Sequence, residues 1–306
     1  MDNKSEFTEF PKYLKIQIRG GIGDCIKILT CNYPLTSLNE KYGTQIFVSY
    51  EGFGASPQGQ NQPICKEKLE RLKTTECPWK NVLRENVFEK CPFLIPVSPE
   101  SFNSLDCPTV HSWFKDFESQ IKGKFQHFLP LELNTKPPFP VAKSYRNIAI
   151  QLSSNEKCKV WSNENWNLLI KKILEKYKYS RIYLIDDPKK RKLIDQDFKP
   201  DQKKLFNTAT YSLAESISLI SEMDLIICSD SFSKYIALCN SIPAIILCAD
   251  VGFMSPSDLL KGCFLSDIVY NDKYKLLGAD IEENFKVNSM VKNVNDITVE
   301  DVFENV

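Results

Sequence analysis

The sequence predicts an α/β protein made of two doubly wound, parallel-sheet domains that face each other across a cleft. Three observations point there. Strand-type and helix-type runs alternate through most of the 306 residues. A strand, a glycine turn, a helix and a second strand follow one another near the N-terminus, which is a βαβ unit with a right-handed crossover. The proline-rich Asn134–Pro140 (NTKPPFP) then separates this stretch from a second α/β stretch, since three prolines in seven residues fit neither a helix nor a central strand. The expected domains are residues 1–138 and 139–306, with ligands bound at the carboxyl ends of the strands.

In the first domain, Tyr13–Arg19 (YLKIQIR) is a short strand that feeds the glycine cluster Gly20, Gly21 and Gly23. Asp24–Tyr42 carries Ile26, Ile28, Leu29, Leu35 and Leu38 on an imperfect helical face, and Thr44–Tyr50 (TQIFVSY) reads as a second strand. Gly52–Pro63 is a loop rich in glycine and proline. Helical spacing returns in Cys65–Thr75, Phe93–Val97 is an apolar strand-like run, and a helix is expected over His111–Lys122.

In the second domain, Asn147–Leu152 is a strand, Asn163–Tyr177 an amphipathic helix, Arg181–Asp186 a strand and Pro188–Asp197 a charged helix. A further helix starts at Ser212, where Ser212 and Glu215 have capping-box spacing. Asp224–Ser229 (DLIICS) and Ala244–Ala249 (AIILCA) are apolar throughout, as strands buried on both faces of a parallel sheet are, and Phe232–Asn240 is a short helix between them. The tail after about Pro256 is less regular and is assigned to pack back on the N-terminal domain.

Composition narrows the function classes. Apolar residues at 42% and charged residues at 25% exclude global disorder. Lys plus Arg and Asp plus Glu are 39 each, so no basic excess points to nucleic acid or a membrane surface. The 11 cysteines are odd in number, without CxxC spacing, and several sit in apolar runs, which favours buried thiols in a reducing compartment. With only two histidines, no metal site is expected. The polar, acidic start MDNKSEFTEF is no signal peptide, and no apolar stretch approaches the ~20 residues of a membrane span, so a cytoplasmic protein is expected.

Glycine is scarce, 11 in 306, yet three fall within Gly20–Gly23. A cluster of this kind between strand and helix lets the backbone turn sharply and lets a ligand approach a helix N-terminus. As a dinucleotide fingerprint it is incomplete: Ile26 occupies the third glycine position of G-x-G-x-x-G, although Glu51 after the second strand could serve as the ribose acid. Asp24, at the first turn of the following helix, admits two readings, a helix-dipole partner or a general base. In the second domain, the loop Gln151–Trp161 offers the hydroxyls of Ser153 and Ser154 and the charge of Lys159. Asp230 and Ser231 lie where a strand ends and a helix begins, with Ser231 at the N-cap; the helix N-terminus suits a phosphate, and ordinary capping fits equally.

In chain order, GGIGD, then the strand–SSNEKCKVW–helix segment, then LAESISLISEMDLIICSDSFSKYIALCNSIPAIIL, the sequence resembles glycosyltransferase family 9, the heptosyltransferase-like enzymes. The resemblance covers about Ile148–Ala249 and a short stretch near Lys15–Leu29. It implies the GT-B fold, two Rossmann-like domains with the active site between, and inverting transfer of a sugar from a nucleotide diphosphate donor without a required metal or cofactor. It implies that Asp24 is the base, presented by the loop Gly20, Gly21 and Gly23. Lys159 would contact donor phosphate beside Ser153 and Ser154, and Asp230 and Ser231 would form the acidic–hydroxyl pair before the phosphate-binding helix, with Ser233. Two positions depart from the family pattern: Phe232 replaces a glycine and Tyr235 a histidine, and Lys234 is assigned to supply phosphate charge instead. Asp187 lies in the Asp186–Asp187–Pro188 turn and reads as a loop residue or nucleotide contact, not as part of a metal-binding DxD.

The expected partners are a nucleotide-sugar donor and an acceptor hydroxyl, with a saccharide as the family default and a protein or a modified nucleic-acid base as the other acceptors. Two other classes stay open: a nicotinamide-dinucleotide enzyme using Gly21, Gly23 and Glu51, and a non-catalytic relative that binds nucleotide sugars.

Overall fold

The computed structural model describes residues 12–19, 39–51, 94–97, 99–107, 109–111, 136–137, 140–152, 154, 157–186, 203–211, 213–250, 272–281 and 287–306. The chain divides into two compact units, Met1–Leu131 and Glu132–Val306. The break falls just ahead of the proline-rich segment, where the boundary was expected at residue 138.

In the first unit, β1 (Tyr13–Arg19), β2 (Gln45–Glu51), β3 (Leu94–Pro96) and β4 (Thr109–His111) form one parallel sheet in the order β3-β2-β1-β4. Leu14, Ile16, Ile46, Val48 and Leu94 are buried in its core. A helical turn at residues 39–42 precedes β2. It ends on Gly43, whose φ of +66° is a left-handed value, with the Gly43 N–H bonded to the Asn39 carbonyl at 2.7 Å. Lys15 is a buried lysine on β1. Its ammonium donates to the carbonyls of Phe102 (3.3 Å) and Leu105 (2.7 Å) and lies 5.1 Å from the Phe102 ring centroid. These carbonyls lie at the C-terminal end of helix α1 (Pro99–Ser104), the negative end of its dipole, which a cation suits.

His111 corrects one expectation. It ends a strand rather than starting a helix, because β-branched Thr109 and Val110 favour an extended chain that pairs with Lys15 and Ile16 of β1. The rest of the helix expected to Lys122 lies outside the described residues, as do those at Cys65–Thr75 and Pro188–Asp197.

The second unit holds a six-stranded parallel sheet. Its strands are β5 (Arg146–Gln151), β6 (Ser180–Ile185), β7 (Leu205–Asn207), β8 (Leu225–Ser229), β9 (Ala244–Leu247) and β10 (Tyr274–Leu277). Their order is β10-β9-β8-β5-β6-β7. From β5 the chain winds outward through β6 and β7, then returns to the other side of β5 and continues through β8, β9 and β10. This is the dinucleotide-fold order, and the winding reverses between β5 and β8. Every residue of β8 and β9 is buried, as their unbroken apolar sequences require.

Helix α2 (Asn163–Lys176) covers this sheet with Trp166, Leu169, Ile170 and Ile173, and the Ser162 hydroxyl caps it by accepting from the Asn165 N–H at 3.1 Å. Trp161 meets Trp166 edge to face, with ring centroids 4.7 Å apart, and donates its indole N–H to the Ile297 carbonyl at 3.2 Å. Helices α3 (Leu213–Ile220) and α4 (Phe232–Cys239) flank β8 in sequence. The Ser212 half of the expected capping box lies outside the described residues.

After β10, β11 (Ala279–Ile281) and β12 (Val287–Met290) form an antiparallel pair, and helix α5 (Val299–Glu304) follows. Val294, Ile297, Val299 and Val302 join the same buried cluster as Trp161, Trp166 and Leu169. The Thr298 hydroxyl and the Asp301 carboxylate close a capping box on α5. The described end of the chain thus packs on α2 of its own unit, where the tail was expected to pack on the N-terminal domain, because its apolar residues bury themselves against the Trp161–Trp166 pair.

Candidate functional site

The polar residues of the second unit converge where its winding reverses. Gln151 ends β5, and a 3₁₀ turn over Lys157–Lys159 follows a short loop. On the neighbouring strand, Ser229 ends β8, Asp230 continues it with its N–H bonded to the Leu247 carbonyl at 3.1 Å, and Ser231 is the N-cap of α4. Parallel pairing of β5 with β8 sets both carboxyl ends side by side.

Asp230 is the centre of the cluster, with a side chain 9% exposed. Lys159 Nζ donates to Asp230 Oδ2 at 3.2 Å, and Lys234 Nζ donates to Oδ1. The Lys234 ammonium also lies 4.4 Å from the Tyr235 ring centroid. The Ser229 hydroxyl donates to the Lys159 carbonyl at 2.6 Å, which ties the 3₁₀ turn to the end of β8. The Ser231 hydroxyl donates to Gln151 Oε1 and makes no cap bond to α4, so the strand ends are linked by side chains as well as by the ladder.

Burial by itself would raise the Asp230 pKa. Lys234 and then Lys159 outweigh it and hold the carboxyl far below the usual carboxylate range. Beside it, burial pushes the Cys228 thiol up to about 12; Lys234 pulls in the opposite direction and Asp230 adds to the rise. Cys228, Cys239 and Cys248 are buried and form no disulfide. Ser233, the second residue of α4, is 1% exposed, and its hydroxyl has no hydrogen-bond partner.

Five residues singled out in the sequence therefore meet here: Lys159, Asp230, Ser231, Ser233 and Lys234. Two of them differ in detail from expectation. Lys234 does not present its charge outward: its side chain is fully buried, since the i,i+4 spacing from Asp230 points the ammonium back at the carboxylate. Ser231 occupies the N-cap position, but Gln151 takes its hydroxyl. Ser154 is half-buried in the loop, and Asp186 is half-buried just after β6. Ser153, Asp187, Gly20, Gly21, Gly23 and Asp24 lie outside the described residues; the chain that leads to the glycines leaves β1 at Arg19. Glu51 ends β2 opposite Arg19. Gln151 and Ser229 escaped sequence reading. Their signal was a polar residue directly after an apolar run, Ile148–Ile150 before Gln151 and Leu225–Cys228 before Ser229.

The chain is similar to the crystal structure of a glycosyl transferase family 9 protein from Veillonella parvula, with 13% identity, 96% of each chain covered and a TM-score of 0.57. It is also similar to E. coli ADP-heptose LPS heptosyltransferase II, with 14% identity, 95% and 97% covered and a TM-score of 0.54. E. coli heptosyltransferase WaaC with ADP-2-deoxy-2-fluoro heptose matches with 12% identity, 95% and 98% covered and a TM-score of 0.51. No curated protein matches in sequence. At such identities the likeness is one of fold: α/β with parallel sheets, of the GT-B type. Residues 109–249, from β4 to just past β9, match the model of glycosyltransferase family 9 (heptosyltransferase), and Lys159, Asp230 and Lys234 lie within the matched stretch. Among the described residues no helix is long and apolar enough to cross a membrane.

Proposed function

We propose that this protein is an inverting, metal-independent glycosyltransferase that moves a sugar from a nucleoside diphosphate donor to an acceptor hydroxyl, a saccharide in the first instance, in the cytoplasm. The observation that carries the reading is the Lys159–Asp230–Lys234 cluster at the winding reversal of the second unit. Two cations and one carboxylate leave a net charge of +1 (two minus one) beside the first amides of α4, the positive end of a helix dipole. Such a place favours an anion of diphosphate type, and the Ser233 hydroxyl adds a buried donor without a partner there.

In the reaction, the Asp24 carboxylate takes the proton of the acceptor hydroxyl. The acceptor oxygen bonds to the anomeric carbon, and the bond from that carbon to the β-phosphate oxygen breaks, its electron pair leaving with the diphosphate. Inversion follows from attack opposite the leaving group. Lys159 and the α4 amides stabilise the charge that grows on the diphosphate, the work a divalent cation does elsewhere. Asp24 is assigned this role by the family resemblance and by its place after β1, which is the central strand of its sheet together with β2. Ser153, Ser154 and Asp187 complete the donor side in the same way.

The test is a thermal-shift panel of ADP, UDP, GDP and NAD on the full chain, followed by turnover with the matching sugar nucleotides. One nucleoside diphosphate should raise Tm more than NAD does, and D24A should abolish turnover while keeping that shift. Turnover that persists in EDTA and a product of inverted anomeric configuration by NMR are expected. A shift by NAD alone would replace this reading with a dinucleotide enzyme, and binding without turnover for any sugar nucleotide would leave a non-catalytic relative.

A further inference from the structure

We propose that Lys234 is a positioning residue: it serves as the fixed counter-ion of Asp230, so that Lys159 is released to meet the donor diphosphate. This deepens the proposed function and rests on it.

The two lysines around Asp230 are not equivalent. Lys234 has a side chain 0% exposed, is held by the rigid first turn of α4, and is covered by the Tyr235 ring at 4.4 Å. It has no route to a ligand without a rearrangement of the helix. Lys159 has a side chain 10% exposed, stands on a short 3₁₀ turn, and reaches the other carboxylate oxygen at 3.2 Å. Of the pair, Lys159 is the one able to turn toward an incoming phosphate.

A lysine at the third residue of a helix opposes the helix dipole and, unpaired, would be costly to bury. Its presence is explained if Asp230 requires a cation at all times. With a single lysine, a phosphate that attracted Lys159 would strip a buried carboxylate of its neutralising charge, and the phosphate and Asp230 would compete for one ammonium. With Lys234 in place, Asp230 stays neutralised when Lys159 turns away. Tyr235 belongs to the same device, since its π face holds the Lys234 ammonium against Asp230.

The experiment measures the Kd of ADP, UDP and GDP, and of the three monophosphates, by calorimetry on the full chain as wild type, K234M and D230N/K234M. K234M should weaken the best-bound diphosphate at least tenfold and its monophosphate less than threefold, because the carboxylate then claims Lys159. The double variant, with no carboxylate to neutralise, should return diphosphate affinity to within threefold of wild type. A merely structural lysine would show no such recovery. Equal diphosphate affinity of wild type and K234M overturns the inference, as does a folded double variant that stays tenfold weak. Should K234M fail to fold, the double variant decides by the same threshold. If no nucleoside diphosphate binds the wild type, the proposed function itself fails, an outcome distinct from the others.

Discussion

Asp230 concentrates most of what a single residue decides in this molecule. Its carboxylate is buried and accepts from two ammonium groups, so D230A would leave both cations without it. Breaking a buried pair in this way costs about 3–5 kcal/mol, and urea denaturation should show a loss of that order. The pH dependence has a definite sign. The folded-state pKa lies below the ordinary value of 3.8, so the stabilisation is present above that value and is lost as the pH falls below it through the folded value. Acid titration of stability below about pH 4 should therefore be flatter in D230N/K234M than in wild type. Cys228 makes the complementary case. Buried and with its pKa pushed up to about 12, it carries no thiolate near neutrality. Mass analysis after iodoacetamide treatment at pH 8 should find Cys228 unmodified in the native protein and modified after denaturation.

At the level of elements, the chain's economy with glycine shows at helix ends. Helix α4 closes in a Schellman arrangement, with the Ile242 N–H bonded to the Ala237 carbonyl at 2.9 Å and the Ser241 N–H to Leu238 at 3.3 Å. The left-handed position is filled by Ser241 at φ 55°, where glycine is the usual resident. S241G should stabilise by about 0.5–1 kcal/mol, the relieved strain exceeding the added freedom of the unfolded chain, and differential scanning calorimetry would register a higher Tm. Gly278, between β10 and β11, is the opposite case. It has φ 90°, and a Cβ there would run into the Cys248 carbonyl oxygen and press on Ile297 and Val291. G278A should lower stability by about 2 kcal/mol or more in the same measurement. Buried strands were the most legible elements: the unbroken apolar runs LIICS and AIIL leave few alternatives to a central parallel strand. Short strands were hidden. Leu205–Asn207 and Tyr274–Leu277 pair along only three or four residues, too few for a period to register, and their strand character comes from the neighbour they join. His111 was misread because its neighbourhood in sequence resembles a helix start, while its pairing with Gln17 is fixed from far away.

For the molecule as a whole, two parallel α/β units were legible from alternation and the proline-rich segment, and a polar cluster at strand ends from the polar breaks after apolar runs. What lay beyond reach was how charges pair across those breaks. Lys159, Asp230 and Lys234 could each be named from sequence, yet all three had been turned toward a ligand; only their placement shows two cations meeting one carboxylate. The C-terminal residues were illegible for a similar reason. Val294, Ile297, Val299 and Val302 look sparse in sequence but close the Trp161–Trp166 cluster of the second unit. V302D should therefore destabilise by about 3 kcal/mol or more in chemical denaturation, a burial effect with no part in the site.

The partners at the winding reversal are distant in sequence: 71 residues separate Lys159 from Asp230, and 80 separate Gln151 from Ser231. During synthesis on the ribosome, Lys159 emerges long before Asp230 does. Asp230 and Lys234 can pair locally, four residues apart, but neither a hairpin nor a helix can bring Lys159 or Gln151 to them, because β6 and β7 lie in the chain between β5 and β8. The complete cluster is thus a late acquisition, and under the proposed function nucleotide binding in refolding experiments should appear with the slowest structural phase rather than ahead of it.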